Sequence, residues 1–346
     1  MTPFTAESFP STRLRRLRAA PWRRHLVREI VLAPADLILP LFVTEGADAR
    51  EPVAALPGVE RLGIDTAVAV AAEAHRLGIP AVALFPAVAP ELKDAAGREA
   101  LNPDNLICRT VRAIKAAVPG LGVMTDVALD PYTSHGHDGI LVDGEVANDA
   151  TVDILVRQAV LLADAGSDIV APSDMMDGRI GAIRRGLEAA GHVHTIILSY
   201  AVKYASAFYG PFRAAVGSRG RLGGQGGPAD KAGYQMDPAN AREALREAAL
   251  DVAEGADLLM VKPAGTALDI IYRLSQATAV PLVGYQVSGE YAALVAAAAA
   301  GAVDRTAALL ESLIAIKRAG ASAIVTYAAL EAARALAARA DAAEAA

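Results

Sequence analysis

Two lysines stand at the ends of apolar segments that are typical of buried β-strands. Lys262 closes the segment LLMVK, and Lys203 comes just after the apolar run that ends near residue 200. Lysine is rarely buried without a partner or a chemical purpose, and both desolvation and a second nearby cation lower the pKa of its amine. A neutral amine attacks ketones and forms a Schiff base. A lone strand-end lysine is more often salt-bridged or anion-binding, but two on neighbouring strands favour carbonyl chemistry such as an aldol, dehydration or condensation reaction.

Other polar residues also follow apolar runs, and they complete a candidate pocket. Arg213 and Lys231 lie in a long segment rich in Gly, Arg and Lys, 204–236. Guanidinium groups bind carboxylates with two parallel hydrogen bonds, so both cations are predicted carboxylate clamps. The remaining strand-end candidates are Asp126, Asp130, Asp138, Ser288 and Tyr327. Ser288 and Tyr327 are predicted to donate to a second carboxylate, so the pocket suits one or two small keto acids.

Eight apolar runs alternate with stretches of helical length, and these elements must position the polar residues. The runs are almost free of polar residues, as in parallel strands buried on both faces. An eightfold alternation indicates an α/β fold, a (β/α)₈ TIM barrel, whose active site lies at the carboxyl ends of the strands. No GxGxxG follows the first run, which argues against an open dinucleotide-binding sheet. The predicted strands are 38–43, 81–85, 122–129, 168–172, 195–200, 257–262, 281–287 and 323–327.

The domain organisation follows from this repeat. The chain has 346 residues, which permits two domains, but a single barrel also reaches this length. We predict an N-terminal arm, 1–35, one barrel domain, 36–335, and a C-terminal tail, 336–346. The segment 204–236 is too long for an ordinary barrel loop and is predicted to act as a lid.

The distribution of charge along the chain indicates which kinds of partner it can bind. The arm carries seven arginines between residues 13 and 28, whereas the whole chain has 33 Lys and Arg against 39 Asp and Glu, a net charge of −6. Nucleic-acid binding needs a broad basic face, so we expect no nucleic-acid partner. An arm that wraps an acidic neighbouring subunit fits the sequence better, and it predicts a homo-oligomer.

Composition excludes several other classes of protein. With 53% hydrophobic and 21% charged residues, the chain is not a disordered one. No uncharged apolar run reaches about 18 residues, so we expect no membrane span, and the N-terminus lacks the apolar core of a signal peptide. The single cysteine, Cys108, can form neither an internal disulfide nor a Cys-rich zinc site. We therefore expect a cytoplasmic protein in which Cys108 packs within a helix.

Five long motifs together resemble one family. They are DVALDPYTSHGHDG (126–139), SYAVKYASAFYGPFR (199–213), YQMDPANAREALRE (234–247), MVKPAG (260–265) and YQVSGEY (285–291). These segments closely resemble the porphobilinogen synthase family, also called delta-aminolevulinic acid dehydratase, and the resemblance runs from about residue 10 to 335. It implies a (β/α)₈ barrel with an arm that embraces a partner subunit. It also implies condensation of two 5-aminolevulinate molecules to porphobilinogen, with loss of two waters, in tetrapyrrole biosynthesis.

The resemblance assigns a role to each candidate residue. Lys262 and Lys203 match the two Schiff-base lysines, with Lys262 on the acetate and aminomethyl side and Lys203 on the propionate side. Arg213 and Lys231 match the carboxylate clamp of one substrate. Ser288 and Tyr327 match the clamp of the other, and Asp126 resembles an aspartate near the substrate amine.

The chain departs from many relatives in the segment 126–139. Zinc-dependent members carry three cysteines at the positions of Ala128, Asp130 and Asp138, and this chain has none of them, so we expect no thiolate zinc site. Asp130 and Asp138 could hold a hard cation such as Mg²⁺, or they could orient a substrate amino group. We favour the second role, because two carboxylates without a third ligand make a poor metal cage. His135 and His137 are interpreted as loop-packing residues rather than metal ligands.

Three further expectations accompany the resemblance. Glu247 matches the glutamate of an allosteric Mg²⁺ site found in many bacterial members, with Asp177 as an outer partner; the alternative is a solvated glutamate paired with Arg242 or Arg246. No organic cofactor is expected. The family also suggests an octamer, with a hexamer as the alternative.

Two other functions remain possible on the residues alone. A Schiff-base aldolase on the same barrel would need only one lysine, so Lys203 would be dispensable. A non-catalytic binding or scaffold protein would leave the strand-end lysines with unperturbed pKa values.

Overall fold

A computed structural model describes residues 8–218, 222–223 and 227–344 of the chain. Contacts divide the chain into two units, Met1–Leu32 and Ala33–Ala346. The described part of the first unit contains a 3₁₀ helix, Leu14–Leu17, and a short α-helix, Pro21–Leu26. The predicted arm thus ends about three residues earlier than expected, and residues 1–7 lie outside the described part.

The second unit is a closed barrel. In the described residues it has eight parallel strands, β1 to β8, in sequence order around the barrel, and β1 pairs with β8 through Leu37 and Ile324 to close it. The strands are Leu37–Val43, Ala81–Pro86, Gly122–Val127, Ile169–Pro172, Ile196–Lys203, Leu258–Lys262, Leu282–Gln286 and Ala323–Thr326. All eight predicted strands are confirmed, with shifts at their ends.

Helices cover the outside of the barrel. We label them α1 to α9; α7 and α8 both follow β7, and α9 follows β8. Their starts use local side-chain caps where the sequence supplies them: Asn105 accepts from the Cys108 amide at 2.9 Å to begin α2, and Asp304 accepts from the Ala307 amide at 2.7 Å to begin α8. The helices are Ile64–Arg76, Leu106–Ala117, Asn148–Asp164, Arg179–Ala189, Arg242–Ala253, Leu268–Ala277, Ser288–Ala299, Arg305–Ala319 and Ala329–Glu344.

Two short antiparallel strand pairs lie outside the ring of eight parallel strands. The antiparallel pair Arg50–Pro52 and Glu60–Leu62 joins the sheet beside β1, and Leu141–Val142 pairs with Glu145–Val146 between β3 and α3.

The register between β5 and β6 contains an irregularity that shapes the site. Leu259 pairs with Ser199, but Val261 pairs with Val202, so three steps on β5 match two on β6. An extra residue of this kind is a β-bulge, and it reverses the alternation of side chains beyond it. The bulge lets Tyr200 and Lys203, three residues apart, both face the barrel interior, while Ser199 faces outward and bonds to Asp251 of α5.

Two predicted segments need revision. The segment 204–236 contains ordered elements, a 3₁₀ helix Ala207–Tyr209 and an α-helix Gly210–Ala215, before residues 219–221 and 224–226, which lie outside the described part. The assigned tail begins inside α9, so residues 336–344 continue a helix. Cys108 is buried in α2, where burial raises the pKa of its thiol to about 11, as expected for a packing residue.

Candidate active site

The two predicted lysines are register partners. Lys203 is the last residue of β5 and Lys262 the last residue of β6, and their Cα atoms pair across the two strands. The sequence placed Lys203 just beyond its strand, whereas the strand extends to include it. Both lysines are about 95% buried, with 5% and 6% of their surface exposed. Parallel strands lie roughly 4.8 Å apart, so the two side chains share one cavity at the carboxyl end of the barrel.

Aromatic rings surround the amine of Lys262. Its Nζ lies 4.7 Å from the ring centre of Tyr285, 4.9 Å from Tyr209, 5.1 Å from Phe212 and 5.3 Å from Tyr200. Burial, and then the positive charge of Lys203, lower the pKa of Lys262 to about 7. A large fraction of this amine is therefore neutral, and nucleophilic, near neutral pH.

Asp126 faces the same cavity from β3. Burial and the charge of Asp130 raise its pKa to about 7, while Lys203 and a hydrogen bond with Ser173 oppose that rise. Its Oδ1 is buried and has no hydrogen-bond partner in the described part of the chain. A carboxyl group with these properties can exchange a proton near neutral pH, as a general acid or base must.

Lys231 lies between Asp130 and Asp138. Its Nζ is 2.9 Å from Asp138 Oδ2 and 3.3 Å from Asp130 Oδ2, and Lys203 Nζ is 3.4 Å from Asp138 Oδ1. Burial raises the pKa of Asp130, with Lys231 only partly opposing it. Burial alone would also raise the pKa of Asp138, but Lys203 and Lys231 outweigh it and hold that pKa well below its usual range. Buried cations and carboxylates thus compensate one another in this cavity.

The structure brings most of the predicted residues to one cavity. Its empty volume is about 360 Å³. The lining residues are Asp126, Asp130, Asp138, Ser173, Lys203, Tyr209, Phe212, Arg213, Lys231, Gln235 and Lys262. Arg213 reaches this lining from the helix Gly210–Ala215, so the described part of the predicted lid packs over the lysines.

Ser288 and Tyr327 do not line this cavity. The Ser288 hydroxyl accepts from the Phe212 amide at 3.0 Å and donates to the Phe208 carbonyl at 3.2 Å. The Tyr327 hydroxyl is 3.1 Å from that of Tyr285. The proton of the Ser288 hydroxyl is therefore occupied by the Phe208 carbonyl, whereas either hydroxyl can donate in the bond between Tyr327 and Tyr285. The rings of Phe212 and Tyr285 lie next to Lys262.

The two histidines pack the loop that follows β3. His135 Nε2 is 3.3 Å from the Ala95 carbonyl and His137 Nε2 is 3.1 Å from the Pro228 carbonyl, so both rings carry their proton on Nε2. His137 Nδ1 then accepts from the Tyr234 hydroxyl at 3.1 Å. Burial lowers the pKa of both rings. Their contacts lie within the loops around the site, as the interpretation as packing residues predicts.

Sequence reasoning missed the aromatic surroundings of Lys262 and the amide of Gln235. Tyr200, Tyr209 and Phe212 lie within ten residues of Lys203, so proximity to a predicted nucleophile was the available signal. Gln235 is buried, and its Oε1 has no hydrogen-bond partner among the described residues. Nothing in its local sequence distinguishes it from an ordinary loop glutamine.

A larger cavity, with about 1500 Å³ of empty volume, contains Glu247 and Asp177. Burial and the nearby charge of Asp251 raise the pKa of Glu247, with Arg179 opposing. The structure shows no ion pair from Glu247 to Arg242 or Arg246 within its described ranges. All the charged residues that line this larger cavity are acidic. The lysine amines of the predicted Schiff-base chemistry line the smaller cavity.

The described residues contain no group of three or more His, Cys, Asp or Glu side chains that could hold a metal ion. Nor does any helix in the described ranges have the length and apolar character to cross a membrane.

Known proteins match this chain over most of its length. The family model of delta-aminolevulinic acid dehydratase matches residues 11–335. A delta-aminolevulinic acid dehydratase of Bradyrhizobium diazoefficiens is 55% identical over 94% of this chain and 90% of its own length. That of Chlamydia pneumoniae is 50% identical over 92% and 94%.

A solved structure shows the same fold. The delta-aminolevulinic acid dehydratase (porphobilinogen synthase) of Toxoplasma gondii, in complex with the reaction product porphobilinogen, has a TM-score of 0.90 and 47% identity, covering 93% of this chain and 91% of that one. The (β/α)₈ barrel predicted from the sequence is thus confirmed. The chain belongs to the delta-aminolevulinic acid dehydratase family.

Proposed function

We propose that this chain is a porphobilinogen synthase, which condenses two 5-aminolevulinate molecules to porphobilinogen with loss of two waters, for tetrapyrrole biosynthesis. The observation that carries the proposal is the Lys262 amine, whose pKa is lowered to about 7 beside its register partner Lys203. The substrate is inferred from family membership, because the family model and the solved relative are both named delta-aminolevulinic acid dehydratase. That solved relative also holds the product porphobilinogen.

The proposed chemistry begins at Lys262. Its neutral amine attacks the ketone carbon of one substrate, the carbonyl oxygen leaves as water, and a C=N bond to Nζ forms. Asp126, with a pKa of about 7, is placed to move the protons that this step requires. We assign Lys203 to the corresponding bond with the second substrate, on the propionate side.

The carboxylate clamps remain part of the proposal. Arg213 lines the cavity and offers a guanidinium fork for one substrate carboxylate. To bind a substrate carboxylate, Lys231 would have to give up its ion pairs with Asp130 and Asp138. For Ser288 and Tyr327 to bind the second carboxylate, they must likewise give up their partners in the segment 208–212 and at Tyr285.

Borohydride trapping with 5-aminolevulinate tests the mechanism. Reduction should leave a covalent adduct on Lys262, identified by peptide mass spectrometry, and Lys262→Ala should lower kcat by roughly 10³-fold or more. Absence of an adduct on both Lys262 and Lys203 would refute the proposal. Full turnover in Lys203→Met would indicate a single-lysine aldolase instead.

We propose that the reaction uses neither a thiolate zinc site nor an organic cofactor. The positions of Ala128, Asp130 and Asp138 offer no sulfur, and the ammonium group of Lys231 already lies between the two carboxylates. Asp130 and Asp138 can then orient the substrate amino group. A thiol-specific zinc chelator should leave the rate unchanged, and strong inhibition by it would contradict this assignment.

We propose that Mg²⁺ acts outside the catalytic cavity, at Glu247 with Asp177 nearby. The two carboxylates line one acidic cavity, and Mg²⁺ commonly binds through one or two carboxylates while keeping several waters. Added Mg²⁺ should restore the rate after EDTA treatment in the wild-type enzyme and fail to do so in Glu247→Gln. A wild-type rate that responds to neither reagent would exclude the site.

We also propose that the arm joins subunits of a homo-oligomer, an octamer in preference to a hexamer. Six large apolar side chains in the described part of the arm are more than 45% exposed: Phe9, Leu14, Leu17, Trp22, Leu26 and Val31. Exposed apolar groups at this density are typical of an interface. Sedimentation velocity distinguishes the two assemblies, and a fully active monomer would refute the role of the arm.

A cytoplasmic location is the remaining proposal. The chain has a single thiol, Cys108, which is buried and free. A lone buried thiol suits a reducing compartment, where disulfides do not persist. Cell fractionation with an antibody against the chain tests it, and recovery outside the cytoplasm would overturn it.

A further inference from the structure

The first turn of α7 touches two other parts of the active site. It consists of Ser288, Gly289 and Glu290, directly after β7. One neighbour is the turn that follows Lys262, a 3₁₀ helix Gly265–Ala267, and the other is the lid segment 207–215.

The carboxylate of Glu290 joins the ends of β6 and β7. Its Oε1 accepts from the Gly265 amide at 2.7 Å, and its Oε2 accepts from the Val287 amide at 2.7 Å. Gly265 is three residues beyond Lys262, and Val287 directly precedes Ser288. One side chain therefore fixes the backbone beside the predicted nucleophile to the backbone beside the predicted clamp.

Gly265 leaves no spare room in this arrangement. A Cβ at Gly265 would lie 2.5 Å from Glu290 Oε1, closer than real side-chain atoms approach. The φ of Gly265 is not in the left-handed region, so a side chain at this position would act on the site by displacing the Glu290 carboxylate.

Glu290 is also largely removed from water. Burial raises the pKa of its carboxyl to about 7, and the amides of Val287 and of residues 264–266 oppose that rise. A buried carboxylate is expensive unless backbone donors satisfy it, and here they do. The side chain is thus held in one orientation.

The rest of the turn binds the lid segment. Ser288 bonds to the Phe212 amide and the Phe208 carbonyl, and a Cβ at Gly289 would lie only 2.5 Å from the Phe208 carbonyl oxygen. Phe212 in turn places its ring 5.1 Å from Lys262 Nζ. The lid segment and the Lys262 turn therefore rest on the same three residues.

We infer that Glu290 is a positioning residue for Lys262: by joining the turn after β6 to the first turn of α7, it sets the place of the Lys262 amine relative to its aromatic surroundings and the lid segment. This inference rests on the proposed function, in which Lys262 is the nucleophile. Glu290 itself acts only through the backbone.

The test measures the rate of reductive trapping at Lys262 with 5-aminolevulinate, by mass spectrometry, in Glu290→Gln and Gly265→Ala. Glutamine keeps the size of the side chain but sets an NH₂ group against one backbone donor. Alanine at 265 pushes the carboxylate away from the other side. Both variants should trap at least about tenfold more slowly at Lys262, because displacements near 1 Å can cost as much as 10²-fold. Trapping at Lys203 should keep its wild-type rate, since the carboxylate of Glu290 bonds to the backbone after β6 and after β7.

The controls separate this inference from the mechanism and from folding. Glu311→Gln, on the exposed surface of α8, should behave as wild type. Wild-type protein without an adduct on either Lys262 or Lys203 would refute the proposed function. An adduct on Lys203 alone would refute the choice of Lys262 as the nucleophile, on which this inference rests. A wild-type enzyme that traps normally, with both variants trapping at the same rate, would refute the role of Glu290 alone. Trapping is measured far below the unfolding temperature of each variant. A variant with a lower Tm but an unchanged trapping rate at Lys262 would therefore also contradict a positioning role. If Glu290→Gln does not fold, the result for Gly265→Ala decides.

Discussion

Lys262 illustrates how three kinds of neighbour act on one side chain. Burial and the charge of Lys203 lower its pKa, while Asp126 raises it. The aromatic rings lie close to its amine, and they can also face a cationic iminium once it forms. Reactivity at this position is therefore a property of the surroundings, and it can be adjusted in both directions by substitution.

The first prediction concerns pH. A lysine with its ordinary pKa of 10.5 gains neutral amine only in strongly basic solution, whereas Lys262, at about 7, gains it as the pH rises through neutrality. Cyanoborohydride trapping at Lys262 should therefore rise through neutral pH, reach about half of its maximum near pH 7, and level off about one to two pH units higher, well below pH 10.5.

Two variants should move this profile in opposite directions. Lys203→Met removes a like charge and should shift the profile to higher pH. Asp126→Asn removes a carboxylate that favours the ammonium form and should shift it to lower pH. Identical profiles in all three proteins would show that these charges do not act on Lys262.

Among the elements, β5 and α7 have the strongest influence on the site. The bulge in β5 turns Tyr200 and Lys203 to the same side, which a regular strand does not permit. The first turn of α7 supports the lid segment through a close approach at Gly289. A side chain at that position would have to displace backbone atoms of Phe208, because they lie 2.5 to 2.9 Å from its Cβ.

The second prediction uses this contact. Gly289→Ala should displace the segment 207–215, at a cost of about 1–3 kcal/mol of unfolding free energy, as for other overpacked sites. The KM for 5-aminolevulinate should rise, because Phe212 and Arg213 move with the segment.

Gly210→Ala is the matched control, since it lies in the same segment with nothing within 4 Å of its Cβ and with an ordinary helical φ. Chemical denaturation and steady-state kinetics measure both effects. Equal behaviour of the two variants would mean that the Gly289 contact does not hold the lid segment.

At the scale of the whole molecule, the charges are unevenly distributed. The described part of the arm is rich in arginine and exposes large apolar side chains, whereas the charged residues around the cavity that contains Glu247 and Asp177 are all acidic. Both observations favour contacts between copies of the chain. The net charge of −6 describes the chain as a whole and not the arm, which is rich in arginine.

The third prediction concerns assembly. Trp22→Ser combined with Leu26→Ser removes two side chains that are 63% and 74% exposed. If they are buried between subunits, each contributes about 1.5–3 kcal/mol per contact, so the double variant should sediment as a smaller species. Val142→Ser, which removes a half-exposed apolar residue from the barrel unit, should leave the assembly unchanged. An unaltered sedimentation coefficient in the double variant would place the interface elsewhere.

The sequence by itself determined the barrel, because its period of apolar runs and helical stretches is a local property of the chain. It also determined the two lysines, since a charged residue at the end of an apolar strand stands out against its neighbours. The long motifs added the family, which the comparisons confirmed.

Only the tertiary structure decided what each of these residues contacts. The bulge that turns Tyr200 inward depends on register with β6, and the pairing of Lys231 with Asp130 and Asp138 spans about a hundred positions. The occupied hydroxyl of Ser288 and the link from Glu290 to Gly265 likewise join separate strand ends. Such contacts have no local pattern, because they arise when the closure of the barrel brings distant loops to one end.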